Sequence, residues 1–443
     1  MVVGGGAVVA ACGPAGDAGS APAVTKAPVT LRWSTWGDAN SPMVQAAEQG
    51  LALFRAKFPN VTVTAEPQVN TPNGPLWADK HMAEWLAGTG PDLSGNNGAS
   101  LLDWGRQGIL LNVDPLAKRD GKQVPLSDYV PAYLSAFRTP ERGLFALPMY
   151  MGIIAIFYSR TLFQKKGVPL PDNNWDWEKF QDAMRRLTTV SDDPNEKTFG
   201  YLAQINFAQH GYFIHQSGGH QVDPQDNRKA VFHLPEALRA IQWLHDRTWK
   251  DKSLAMDAEV NSLGFKTPNY ALAAGRLGMT NAGSQMMAGL LKDQPEQARD
   301  WDVMHMPRGP VQKSTGHTFD GWGVWSGGKN LDVAWELDKF LQSDAWVEIA
   351  ASVVGLQPSR KSWQDKYVAL SKKQYPALAD KNLAAFTDPI RENWAHPNEY
   401  YLKNTDAQKI WKDAATATFA TNQEAVPDAF KKAAGLINQL HGV

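Results

Sequence analysis

The sequence predicts an α/β protein with more than one lobe, on three observations. Strand-like and helix-like stretches alternate along the chain. Its 443 residues are enough for two or more lobes, each burying a core of its own. The 44 basic and 45 acidic residues nearly balance, as in a soluble globular protein.

The elements follow in order. "VTLRWSTWG" is a β-rich run ending at Gly37, and "SPMVQAAEQGLALFRAKFP" has helical spacing, opened by Ser41-Pro42 and closed by Pro59. "NVTVTAEP" alternates with period two as a second strand. "WADKHMAEWLAGTGPDLS" reads as a helix stopped by Gly88 and Gly90, then a strand entry, and "ASLLDWGRQGILLNVDPL" as helix, turn and apolar run. "LFALPMYMGIIAIFYSRTLFQKKG" holds a long apolar strand, and "WDWEKFQDAMRRLTTV" is an amphipathic helix. "LPEALRAIQWLHDRTWK", "LDVAWELDKFLQSDAWVEIAAS" and "DAFKKAAGLINQLHG" are further helices. No internal repeat is visible.

The charge balance gives no electrostatic reason to expect nucleic acid or an anionic membrane as partner. No segment beyond the N-terminus approaches the ~18–20 consecutive apolar residues of a membrane span. Seventeen tryptophans stand out, a residue that suits cores and also the faces of sugar rings. Trp85, Trp243, Trp335 and Trp346 fall at helical spacing among apolar neighbours, which predicts core packing.

Cys12 is the single cysteine, so it has no disulfide partner within the chain and cannot build a thiolate zinc site. The small apolar run "VVAAC" suits a signal peptidase, and residues 13–28, rich in Ala, Gly, Ser and Pro, read as a flexible tether. The run resembles the bacterial lipobox, in which the cysteine is acylated. No Lys or Arg precedes Lys26, so either the true start lies upstream of Met1 or the signal does not work as written.

Four segments in order carry a wider resemblance: "AEWLAGTGPDLSGNNGASLLDWGRQGILLNVDPL", "GLFALPMYMGIIAIFYSRTLFQKKGVPLPDNNWDWEKF", "YALAAGRLGMTNAGSQM" and "GWGVWSGGKNLDVAWELDKFLQSDAWVEIAASVVGLQPSRKS". From about residue 28 to the C-terminus the chain resembles the extracellular solute-binding proteins of bacterial ABC importers, in the family-1, carbohydrate-binding branch that includes maltose-binding proteins. The resemblance implies two α/β lobes of the periplasmic-binding-protein kind with a ligand cleft between them. Residues 29–148 and 308–350 are expected in lobe one, and 149–307 and 351–443 in lobe two. It further implies an extracytoplasmic monomer without cofactor, either tethered outside the membrane through Cys12 beside its permease or in the periplasm.

A sugar ring offers apolar C–H faces and a hydroxyl edge, so its receptor needs aromatic platforms and planar polar groups. Trp36 and Asp38 sit at the end of the first strand, where open α/β sheets carry ligand loops, and Asp38 is equally a helix N-cap. Asn96 and Asn97 follow a strand in the same way, as paired amides or as an ordinary turn. The resemblance places Tyr150 and Met151 where the chain crosses between lobes. Asn206 and Gln209 precede the "SGG" turn as contacts or loop surface. "TNAGSQM" resembles a family loop that often carries a tryptophan platform, but Ser284 and Gln285 stand there instead. Another aromatic must then supply the apolar face. Trp322, between two glycines in "TFDGWGVWSGG" and preceded by Asp320, is the expected platform, with Trp394 second. Arg360 is the candidate phosphate contact under an alternative reading, a receptor for a glycerophosphodiester or similar phosphorylated polyol.

Catalysis is the reading of another class. Asp192 and Asp193, or Asp172, Asp176 and Glu178, are sequence neighbours that read as turn and cap residues rather than glycosidase carboxylates. His210, His215 and His220 recur at spacing five in a glycine-containing stretch that looks irregular, against the spacing of four that helical metal pairs prefer, so no metal site is expected. No GxSxG or phosphate-binding loop is present. The reading is a binding protein, not an enzyme.

Overall fold

The computed structural model describes residues 26–37, 41–68, 77–203, 206–265 and 267–443; Cys12 and Asp38 lie outside them. The strands are β1 (Val29–Trp36), β2 (Val61–Gln68), β3 (Leu93–Asn97), the small hairpin β4 (Arg138–Thr139) and β5 (Gly143–Leu144), β6 (Leu147–Ser159), β7 (Phe199–Leu202), β8 (Leu254–Ala255), β9 (Leu277–Gly283), β10 (Trp301–Met304), β11 (Thr315–Val324) and β12 (Ala395–Pro397). They line up as β2-β1-β3-β11-β6-β9-β7-β8, with β10 on β6 and β12 on β11.

β1 runs parallel to β2 and β3, so the connections must cross over, and the helices Pro42–Lys57 and Trp77–Leu86 make them. Pro42 in the first turn suits a position whose N–H has no helical partner, and Arg55 and Lys57 complement the dipole in the last. Met43, Ala46, Ala47, Gly50, Leu51 and Phe54 form the buried stripe of that helix.

β6 and β11 carry the chain between the two halves. Antiparallel to each other, they pair from His317–Ile153 to Trp322–Leu147, while β6 continues onto β9 from Ile154 to Tyr158 and β11 onto β3 from Asp320 to Val324. One core gathers Trp33, Phe54, Trp322 and Trp346, and another Phe180, Tyr201, Ile241, Trp411 and Phe430. A third runs from Phe137 and Phe145 through Met151 to Trp301 and Phe386, so apolar packing continues through the crossing.

Trp85, Trp335 and Trp346 are buried, and Trp243 stacks on Trp177 at 4.5 Å. The "LDVAWELDKFLQSDAWVEIAAS" stretch divides into helices Leu331–Leu341 and Asp344–Ile349, because the Ser343 hydroxyl accepts from the Trp346 amide and starts a new helix. In "GILL" only Leu110 bridges to a strand partner, Trp325. The stretch around His210 is not irregular but the helix Phe207–Gln216: Asn206 caps it by accepting from the Gln209 amide at 2.9 Å, and Gly218, with φ +82°, turns the chain after it. Among the described residues no helix is long and apolar enough to cross a membrane.

Candidate functional site

The register of three adjacent strands sets Asn97 of β3, Asp320 of β11 and Tyr150 of β6 in one row. Tyr150 hydrogen-bonds the Asp320 side chain. Burial pushes the Asp320 carboxyl up to about 7, against that hydrogen bond, and its Oδ1 is buried without a hydrogen-bond partner among the described residues. Burial, then the neighbouring Asp320, pushes the Tyr150 hydroxyl up. Tyr400 joins the group: its ring lies 5.7 Å from Phe319, and burial and then Asp320 raise its hydroxyl as well. A carboxyl with one oxygen left to satisfy, beside two partly exposed tyrosines, offers polar groups for the edge and ring faces for the apolar side of a polyhydroxylated ring.

Beneath this row the strand ends are tied together. Gln68 donates to the Ser34 hydroxyl (3.0 Å) and the Gly95 carbonyl (2.7 Å), and the His81 ring nitrogen Nε2 meets Ser34 Oγ at 3.0 Å. Asn96 is buried in the turn, its Oδ1 accepting from the Asn97 amide at 2.6 Å. Asn97, exposed, caps the helix Gly98–Arg106 by accepting from the Ser100 amide at 3.1 Å. Both asparagines shape the strand-to-helix turn. For Trp36 only the strand position, opposite Gln68, is described.

A second polar group lies in the other half. Tyr201 donates to Asn281 Oδ1 at 2.9 Å, and Asn281 donates to Gln209 Oε1 at 3.0 Å, next to the Asn206 cap. Ser284 is buried and hydrogen-bonded by Tyr367, whereas Gln285 is exposed at the start of the helix Gln285–Asp293. Gly283 pairs with Ile154. Since Asn281 pairs with Ile156, six residues beyond Tyr150, the two groups are separated by about 20 Å of strand.

Four expectations are corrected. Met151 is fully buried in the core that runs through the crossing, because β6 alternates and Tyr150 takes the other face. Trp322 is fully buried too, edge-on to Trp33 at 5.4 Å. The glycines beside it serve the opposite face of β11: a Cβ on Gly321 would meet Phe137 at 2.8 Å and one on Gly323 would meet Leu110 at 2.9 Å. They admit core side chains, not a ligand. The Arg360 guanidinium is held by Asp128 at 2.9 Å and Asp344 at 2.7 Å. Trp394 precedes the residue of β12 that pairs with Thr315, at the end of β11 away from Asp320; its indole donates to Glu392 at 3.0 Å.

Sequence reasoning missed Tyr400, whose neighbours in "PNEYYL" carry no helical or strand period. It lines a cavity of about 250 Å³ between the halves, bounded by Leu102, Arg106 and Ala132 on one side and Val222 and Asp223 on the other. His220, His396 and Glu399 border the same cavity and converge with His215 behind them, while His210 turns inward against Trp411 at 5.0 Å.

The chain that forms this sheet matches a known family along most of its length. The family model described as bacterial extracellular solute-binding protein matches residues 33–348. The chain belongs to this family. Among curated relatives, this solute-binding protein is 23% identical to a binding protein of Brucella abortus (strain 2308) over 393 residues, 83% of this chain and 87% of the relative. Among solved structures it is similar to the ABC substrate-binding protein of Listeria monocytogenes in complex with cycloalternan, at 16% identity and a TM-score of 0.73, covering 94% of this chain and 99% of that one. The sugar-binding protein MalE of Xanthomonas citri matches at 17% identity and a TM-score of 0.75, over 93% and 97% of the chains. The cyclic alpha-maltosyl-1,6-maltose binding protein of Arthrobacter globiformis matches at 17% identity and 0.74, over 94% and 99%. At these identities the likeness establishes the two-lobed fold.

Proposed function

We propose that this solute-binding protein captures a sugar or oligosaccharide between its lobes and delivers it to the permease of a bacterial ABC importer. The observation that carries the reading is Asp320, presented on a crossing strand with an unpartnered oxygen and with Tyr150 and Tyr400 beside it. The cargoes named for the structural relatives, cycloalternan and cyclic maltosyl-maltose, belong to the same chemical class. The phosphorylated-polyol reading loses its anion contact, because Arg360 is already paired with two carboxylates. The lobes are taken to divide at 29–148 with 308–350 and 149–307 with 351–443, and the protein to act as a monomer without catalysing a reaction.

A thermal-shift screen with mono- and oligosaccharides and glycerophosphodiesters tests the reading. A ligand at a hundred times its Kd adds about 2.7 kcal/mol to stability. A carbohydrate should raise the melting temperature, and small-angle scattering should show a smaller radius of gyration on the same addition, since hinged lobes close over a polar solute. A shift with glycerophosphodiesters alone would overturn the sugar reading.

Extracytoplasmic anchoring through a lipid on Cys12 is part of the proposal, supported by the "VVAAC" run and the tether behind it. Mass spectrometry of the mature protein from its native host should find an acylated N-terminal Cys12. An unmodified peptide spanning Ala11 and Cys12 would sink the anchor without touching the sugar reading.

A further inference from the structure

Glu399 is held from two sides. Its Oε2 accepts from the backbone amides of Gln221 and Val222 at 2.6 and 2.9 Å, which uses that oxygen and fixes the carboxylate plane. Its Oε1 faces His215 Nε2 at 3.0 Å and His220 Nδ1 at 2.6 Å. The third imidazole, His396, has Nδ1 at 2.7 Å from the Pro397 carbonyl, an acceptor, so the proton sits on Nδ1 and Nε2 keeps a lone pair. The His396 ring centroid lies 3.4 Å from that of His215, which lies 4.8 Å from that of His220. A lone-pair nitrogen crowded against two other imidazoles and a carboxylate calls for a cation.

We propose that His215, His220, His396 and Glu399 bind one divalent transition-metal ion, zinc by the character of the donors. One ligand atom from each of the four lies within 4.8 Å of the others. Nitrogen and oxygen ligands at about 2.0–2.1 Å from a tetrahedral zinc are about 3.3 Å apart, so small side-chain rotations close the site. Three imidazoles and a carboxylate are donors that zinc accepts and that magnesium or calcium sites seldom use. The outer hydrogen bonds are those of a metal site: a backbone carbonyl orients His396, and two backbone amides orient Glu399. The ligands come from the end of the helix Phe207–Gln216, the loop after it, and β12 with the segment that follows. The ion would therefore clip the 396–399 segment to the second half of the molecule, one residue before Tyr400, at the border of the cavity between the halves.

The test uses the full chain with any polyhistidine tag removed and bound metal stripped by a chelator. Titration with Co²⁺, followed by the visible absorption of tetrahedral cobalt, and with Zn²⁺ by calorimetry should each saturate at one equivalent. His220→Ala is the first variant, because His220 is the most exposed of the three imidazoles and its hydrogen-bond partner is Glu399, so the variant should fold, as its metal-free melting temperature would show. It should weaken Zn²⁺ binding at least about tenfold and reduce the cobalt band. Glu399→Gln keeps the shape while removing the charged ligand and should do the same. Absence of saturable one-to-one binding in the parent chain, or unchanged affinity in a folded His220→Ala, would overturn the proposal. Neither result bears on carbohydrate binding, which the ligand screen reads separately.

Discussion

Trp322→Ala is expected to destabilise the protein by about 3–5 kcal/mol, the range for removing a large buried aromatic from a core. Trp322 is fully buried, with the rings of Trp33 at 5.4 Å and Trp346 at 6.4 Å meeting it edge-on. Its floor is Gly95 of β3, where a Cβ would come within 2.2 Å of the indole, so no neighbour is placed to fill the space an alanine leaves. The indole N–H has no hydrogen-bond partner among the described residues, a cost the folded state already carries. Trp322→Phe, which removes that N–H and keeps most of the volume, should therefore cost less than half as much as the alanine. Urea denaturation followed by circular dichroism separates the two variants. An alanine variant that melts with the parent would show that the ring does not support the first core.

The same residue shows how far sequence reading carried. It found the strand and its neighbourhood, because "FDGWGVW" alternates and its glycines mark close approach. It could not place the depth: Asp320 and Trp322 share a face of β11, and one step along the strand separates the edge of the core from its middle. Periodic segments such as Pro42–Lys57 and Trp177–Leu187 were legible because their apolar stripes are local. The helix Phe207–Gln216 was not, since Gly211 within it and Gly218 and Gly219 just after it hid the period and its cap, Asn206, looked like loop surface. Tyr400 and Glu399 were out of reach for a different reason. Their partners lie far away in sequence, as with Glu399 and His215, and only the folding of β12 onto β11 brings them together. Arg360 failed as a ligand contact because its guanidinium is satisfied within the protein by two carboxylates.

Asp320→Asn should change both the pH dependence and the affinity of the binding protein. Burial raises the folded carboxyl from an ordinary 3.8 to about 7, so the folded state holds its proton more tightly than the unfolded chain does. Its contribution to stability is therefore fully present below about pH 4 and is lost as the pH rises to about 7. The loss amounts to at most about 4 kcal/mol, since each pKa unit is 1.36 kcal/mol. Asparagine is neutral throughout and should abolish this slope, leaving the variant close to the parent near pH 4 and more stable at pH 8. Binding should move the other way. Above pH 7 the ionised carboxylate offers its unpartnered oxygen as a charge-assisted acceptor for a sugar hydroxyl, an interaction worth about 1.5–3 kcal/mol. The parent should accordingly gain affinity between about pH 6 and pH 8, and Asp320→Asn should be pH-independent and about ten- to a hundredfold weaker at pH 8. Tyr150 and Tyr400 titrate well above this window and leave the profile to Asp320. Calorimetry across that range on the carbohydrate found by the screen measures the affinity, and denaturation at pH 4 and pH 8 measures the stability. Parallel affinity profiles in the two proteins would remove Asp320 from the ligand site, whereas parallel stability profiles would show that its carboxyl is already ionised in the folded state at low pH.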